Sequence, residues 1–114
     1  MPILYDIGAS EAKESYLSIQ KIIDACKSTA ADAVHPGYGF LSENAQFSKK
    51  CKDEGIVFIG PSPMAISTMG DKITARKTMI AAGVPVVPGT TEEVKSDELA
   101  IKIIREIGLP VMIK

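Results

Sequence analysis

Short apolar runs alternate along this chain with longer stretches in which apolar residues return every three or four positions, and that alternation marks a layered α/β fold. Ile19, Ile22, Ile23, Cys26 and Ala30 form one helical stripe, on a segment that Ser15 can cap and that runs to about Thr29. Ile3, Leu4 and Ile7 before it read as a short strand or extended lead-in. Asp32 to Val34 after it read as a brief strand, stopped at His35 and Pro36 because proline fixes φ and lacks the N–H that a ladder needs. Ser42 can cap a second helix ending at Glu54, with Gly55 just past its end, and Ile56 to Ile59 read as a strand buried on both faces of a parallel sheet. Ser62 and Pro63 start a short helix through Met69, Asp71 caps another that ends at Gly83, and Val84 to Val87 are extended around Pro85. Ser96 caps a last helix whose expected core face is Leu99, Ala100, Ile103, Ile104 and Ile107, before a strand from Val111 to Lys114.

Charge and composition remove several function classes. The 114 residues carry 13 Lys and Arg against 14 Asp and Glu, a net charge of −1 with no basic stripe, so no nucleic-acid partner is expected. With 46% hydrophobic and 24% charged residues the chain can build a core, which excludes disorder as its main state. The uncharged run from Ile56 to Met69 is broken by Gly60, Pro61 and Pro63, well short of the ~20 continuous apolar residues of a membrane helix, so no membrane partner is expected either. Two cysteines, Cys26 and Cys51, and no basic-then-apolar leader point to a reducing, cytoplasmic environment with both thiols free.

The segment HPGYGFLSEN, His35 to Asn44, runs from a strand end through two glycines to a capped helix. Ligands of open α/β sheets bind at the carboxyl ends of strands, where glycine lets backbone approach them and a helix N-terminus favours an anion. His35, Gly37, Tyr38, Gly39 and Glu43 are therefore candidate site residues. The same residues also suit a plain structural turn, with an aromatic ring plugging the core and Glu43 as a cap-region carboxylate. His35 is the sole histidine, so no second imidazole is at hand for a metal, and no metal site is expected. Neither a nucleophile elbow nor a glycine-rich phosphate loop is present. Lys114 ends an apolar strand, a place for an ammonium that reaches an anion or simply frays.

Taken together, HPGYGFLSEN at 35 to 44, FIGP at 58 to 61, MGDK at 69 to 72, AGVPVVPG at 82 to 89 and IGLPVMIK at 107 to 114 resemble biotin carboxylase, in matching order and spacing. The last two are similar to ATP-grasp enzymes generally, and the first three to biotin-dependent carboxylases acting on acetyl-CoA, propionyl-CoA, methylcrotonyl-CoA or pyruvate. The resemblance implies a Rossmann-like, three-layer parallel sheet truncated at both ends, with a partial N-terminal domain at 1–88 and the start of the ATP-grasp central region at 89–114. It implies a ligase that activates bicarbonate with ATP and Mg²⁺ and passes the carboxyl group to a ureido nitrogen of carrier-bound biotin. By the same resemblance Lys114 contacts nucleotide phosphate, His35, Gly37, Tyr38, Gly39 and Glu43 lie near biotin and bicarbonate, and the partners are the rest of the carboxylase, the biotin carboxyl carrier and the carboxyltransferase.

The glycine-rich phosphate lid, the metal-binding glutamates and the groups acting on bicarbonate have no counterpart in these residues. No catalytic residue is therefore expected within the chain, no cofactor is expected to bind it tightly, and on its own it is expected to be inactive and to self-associate through uncovered strand surface. The compartment implied is the cytoplasm, or the mitochondrial matrix for a eukaryotic source whose targeting segment has been removed. A non-catalytic interaction module built on the same fold, or another ATP-grasp ligase, are the alternative readings.

Overall fold

The computed structural model describes residues 4–113, so Ile3 of the expected lead-in and Lys114 of the expected last strand lie outside the described residues. The chain forms two compact units, Met1–Ser67 and Thr68–Lys114. In the first, a 3₁₀ turn at Ala12–Glu14 precedes helix α1 (Ile19–Ser28), strand β1 (Ala33–Val34), helix α2 (Ala45–Asp53) and strand β2 (Val57–Phe58). Helix α3 (Pro63–Gly70) contains the division between the units, and the second unit holds α4 (Lys72–Ala81) and α5 (Asp97–Ile107). The fold is α/β with parallel strands, as expected.

Both strands are fed by the same device. At the end of α1 the Ala30 N–H donates to the Lys27 carbonyl at 3.2 Å and the Ala31 N–H to the Cys26 carbonyl at 2.8 Å. At the end of α2 the Gly55 N–H donates to Lys52 at 3.2 Å and the Ile56 N–H to Cys51 at 2.9 Å. Each is a Schellman closure, which satisfies the last helical carbonyls and turns the chain sharply into the strand that follows. Cys26 and Cys51 thus occupy equivalent positions in two successive helix-to-strand units, both thiols free and buried, with burial pushing both thiols up from their ordinary range. The strands then pair in parallel, Ala33 opposite Val57 and Val34 opposite Phe58, with the Val57 N–H on the Asp32 carbonyl and the Ile59 N–H on Val34, each at 2.9 Å.

One core holds this unit together. Ile23 and Cys26 from α1, Phe47 and Cys51 from α2, Leu41 and Ile56 are buried in a single cluster, with Ile19, Ile22, Ala31, Val34 and Phe58 packed against it. Phe47 meets Phe58 edge to face, centroids 5.7 Å apart at 89°, a favoured aromatic geometry. Ala30 is not part of the stripe that packs there. It is exposed at φ +52°, because the Schellman closure places it past the helix end in the left-handed region.

Several expected elements differ, each for a local reason. Ser15 does not cap α1: it is buried with its hydroxyl donating to the Glu11 carbonyl at 2.9 Å, and Ser18 is the cap instead. Ser42 yields to Asn44, whose Oδ1 accepts the Phe47 N–H at 2.8 Å. Leu4 to Ile7 join no ladder among the described residues, since Asp6 Oδ1 takes the Gly8 N–H at 2.9 Å and bends the chain at once. Val84 to Val87, expected only to be extended, join no ladder among the described residues: the Val84 N–H closes α4 on Met79 at 2.9 Å, Pro85 has none, and the Val87 carbonyl accepts from the Arg76 guanidinium. Residues 111–113 likewise lie in no strand among the described residues, and Leu99 and Ile107 of α5 stay exposed. Finally, β2 is buried on one face only, with Val57 61% exposed.

One ion pair ties the end of α1 to the end of α2, and a second, i,i+4 within α2, shares its carboxylate. Glu54 lies 2.6 Å from Lys27 and 2.8 Å from Lys50, and the hydrogen bonds from Lys27 and then Lys50 hold its carboxyl at about 2, below the ordinary 4.5. A depressed carboxyl contributes stability that is present above its unfolded value and is lost as pH falls through the folded one. Acid unfolding should therefore lose this contribution between pH 4.5 and about 2, and Glu54→Gln should flatten that limb; superimposable limbs would show the pairs to be inert. The closures predict opposite outcomes for two small changes at similar backbone angles, φ +52° at Ala30 and +72° at Gly55. In chemical denaturation Ala30→Gly should stabilise, and Gly55→Ala destabilise, by about 1 kcal/mol each.

Candidate functional site

Two parallel strands present their carboxyl ends at the same edge, so the chain leaving β1 and the chain leaving β2 emerge side by side. The first is HPGYGFLSEN, residues 35–44, and the second runs through Ile59, Gly60 and Pro61 to Ser62. The fold thereby brings together two of the sequence segments singled out above, at the end of the sheet where α/β folds bind ligands.

The base of the first loop is tied down. His35 Nδ1 accepts the Gly37 N–H at 3.0 Å, which requires a lone pair on that nitrogen and places the ring proton on Nε2. The Ser42 N–H reaches the Gly39 carbonyl at 2.9 Å, the Asn44 N–H reaches Leu41 at 3.1 Å, and Leu41 is buried in the core. Between these anchors Gly37 stands at φ +69°, Gly39 at +76° and Phe40 at +45°. Glycine enters this region freely, whereas a residue with a Cβ gives up roughly 1–2 kcal/mol to do so. Beyond the adjoining residues of the chain, no atom lies within 4 Å of where a Cβ would stand on either glycine, so the backbone angle and not space selects them.

Tyr38, between the glycines, is 99% exposed and holds its phenol clear of the core. The plug expected of an aromatic in such a loop is supplied by Leu41 instead. Glu43 is exposed in the turn before the cap and not inside the first turn of α2, since Asn44 takes the cap position. The loop thus offers an exposed phenol and an exposed carboxylate over a stiff base, with the imidazole committed to the backbone. Such groups can hydrogen-bond and border a ligand. Lys114, the remaining candidate, lies outside the described residues.

The second loop borders an open groove of about 430 Å³ lined by Ser48, Lys52, Phe58, Gly60, Pro61 and Pro63. Ser48, buried on α2, donates to the Pro61 carbonyl at 3.2 Å and so fixes the FIGP segment to the helix beneath it. In the second unit, Asp71 of MGDK caps α4 by accepting the Thr74 N–H at 2.7 Å, and hydrogen bonding by Thr74 holds its carboxyl below the usual carboxylate range. Among the described residues no cluster of three or more His, Cys, Asp or Glu could hold a metal ion.

Two residues that shape the loop escaped the sequence reading. Asn44 competes with Ser42 for one cap, and both types are equally good candidates on sequence. Tyr16 packs its ring on Phe40, centroids 5.1 Å apart, a contact between distant segments for which no local spacing is a signal. The hydrogen bond at the loop base predicts a measurable protection. A bond worth about 1 kcal/mol slows local exchange roughly fivefold, so His35→Ala should speed hydrogen exchange at the Gly37 amide by that factor. Unchanged exchange would remove His35 as the anchor.

The family model for the biotin carboxylase N-terminal domain matches residues 3–66, and that for the ATP-binding domain of the carbamoyl-phosphate synthase L chain matches residues 71–114. The chain is 57% identical over 110 residues to biotin carboxylase 2 of Bacillus subtilis, covering 96% of this chain and 25% of that protein. It is 54% identical over 110 residues to the mitochondrial methylcrotonoyl-CoA carboxylase subunit alpha of Rattus norvegicus, covering 96% of this chain and 15% of that one. Among solved structures, the biotin carboxylase domain dimer of the Hydrogenobacter thermophilus 2-oxoglutarate carboxylase, in complex with MgADP, ADP and bicarbonate, superposes with a TM-score of 0.78 at 43% identity, covering 90% of this chain and 22% of that one. The chain spans a quarter or less of the length of these relatives.

Proposed function

Since the chain belongs to the biotin carboxylase N-terminal domain family, we propose that it serves as the N-terminal part of an ATP-dependent ligase that carboxylates biotin on a carrier with bicarbonate. The observation that carries this reading is the pair of family matches, in order and nearly abutting at residues 66 and 71, over a chain whose two compact units divide at Ser67 and Thr68. Within it, residues 1–88 are assigned to the N-terminal domain and 89–114 to the start of the ATP-grasp region. The second match begins earlier, at residue 71, and so takes in α4.

In this reading the loop 35–44 borders the biotin and bicarbonate end of the active site. Tyr38 supplies a phenol that can donate to a carbonyl or lie against a planar ring, and Glu43 supports the polar surroundings. Its support is the location of the loop at the carboxyl end of β1 and the full exposure of Tyr38. Lys114 is assigned to nucleotide phosphate, where an ammonium acts as a point charge on the transferred group. The metal and the rest of the phosphate clamp belong to other parts of the proposed ligase, and phosphoryl transfer depends on the clamp as a whole. The partners proposed are those other parts, the biotin carrier and a carboxyltransferase, with self-association of the isolated chain through the exposed face of β2. A cytoplasm-like compartment is proposed as well, supported by the two free thiols.

Kinetics of the intact carboxylase that contains this segment test the assignment. Lys114→Ala should lower bicarbonate-dependent ATP turnover on the order of 10²-fold, the usual loss when one electrostatic stabiliser is removed. The 114-residue chain alone should show no bicarbonate-dependent turnover above its own Lys114→Ala control. Turnover well above that control would overturn the proposal that the machinery lies elsewhere.

A further inference from the structure

Within the site loop, Phe40 is held in a conformation that its own chemistry disfavours. A bulky residue stays at φ +45° where its surroundings over-determine it. The flanking residues have their own reasons for being where they are: Gly39 tolerates positive φ, and Leu41 is buried in the core. Phe40 is spanned by the bond from the Ser42 N–H to the Gly39 carbonyl, and its ring has a further support from outside the loop. Its ring lies 5.1 Å from that of Tyr16 at an interplanar angle of 34°, inside the range in which aromatic pairs attract beyond the area they bury.

Tyr16 stands on a fixed base. Ser15 before it is buried and donates to the Glu11 carbonyl at 2.9 Å, and the Leu17 N–H after it reaches the Ala12 carbonyl at 2.7 Å. The next residue, Ser18, is the cap of α1. The Tyr16 ring is therefore carried by the rigid entry to a core helix.

Neither ring is part of the core: Tyr16 is 54% and Phe40 60% exposed. The contact lies outside the cluster of Ile23, Phe47 and Ile56 and the residues packed against it. Tyr38, joined to Phe40 through Gly39, is almost fully exposed and has no packing of its own. We propose that Tyr16 is a positioning residue for the site loop, selecting through Phe40 the backbone arrangement that presents Tyr38 at the carboxyl end of β1. The inference rests on the reading of this loop as the biotin end of the site, and its test separates the two.

The test uses the intact carboxylase that contains this segment, with free biotin as the varied substrate. A ring contact of this kind shifts a two-state balance by roughly two- to tenfold, so Tyr16→Ala should raise KM for biotin by about that factor. Tyr16→Phe, which keeps the ring, should restore KM. In a Tyr38→Ala background, Tyr16→Ala should add no further rise, because Tyr16 acts through Tyr38. An unchanged KM in Tyr16→Ala where Tyr38→Ala raises it, or an undiminished rise in the Tyr38→Ala background, would overturn the inference while leaving the loop at the biotin end. An unchanged KM in Tyr38→Ala would overturn the biotin reading itself, and the inference with it. Should Tyr16→Ala not fold, Tyr16→Leu keeps apolar bulk without a ring and is read by the same criteria.

Discussion

The packing of Phe47 against α1 and the two strands is the interaction on which the rest of the first unit depends. Its ring is buried among Ile23, Cys26, Cys51 and Ile56 and meets Phe58 edge to face, so one side chain joins both helices to the sheet. Truncating a buried phenylalanine in such a place costs about 3–5 kcal/mol, a large share of the stability of a small domain. The Schellman closures act with it. They turn α1 and α2 into β1 and β2 at equivalent points, and the parallel register that follows places both outgoing loops at one edge.

The candidate site follows from this arrangement. A loop leaving a strand whose start is fixed by a helix end, and returning through Leu41 into the same core, is stiff at both feet and exposed at its tip. Its strained residue lies where the chain must turn, as is common at binding sites. Surface ion pairs play a smaller part. Glu54 between Lys27 and Lys50 secures the helix ends, but exposed pairs contribute modestly beside the buried aromatic cluster.

Legibility varied along the chain in ways that have physical causes. Asp71, Ser62 and Ser96 were readable as helix starts and Gly55 and Gly83 as the residues past helix ends, because a cap needs a particular side chain and a left-handed turn needs glycine. Where two cap-competent residues lie close together, at Ser15 and Ser18 or Ser42 and Asn44, local preference is degenerate and packing chose between them. The strand expected at Val111 to Lys114 rests on apolar character alone, and residues 111–113 lie in no strand among the described residues. Apolar character cannot say whether a backbone will find a ladder, and at 84–87 the α4 closure and Arg76 engage the backbone instead. The site loop was visible through its glycines, but its dependence on Tyr16 was not, since a ring contact across the fold leaves no periodic trace.

Periodicity, capping residues and the HPGYGFLSEN segment thus carried the fold class, the helix order and the family resemblance in the residues themselves, because these depend on interactions within a few positions of chain. The choice among competing caps, the single buried face of β2, the committed imidazole of His35 and the exposure of Tyr38 were settled by three-dimensional packing. The reason is that burial and ring contact are properties of neighbours in space. Tyr16 and Phe40, or Asp32 and Val57, lie far apart in the chain and are neighbours only in the folded structure.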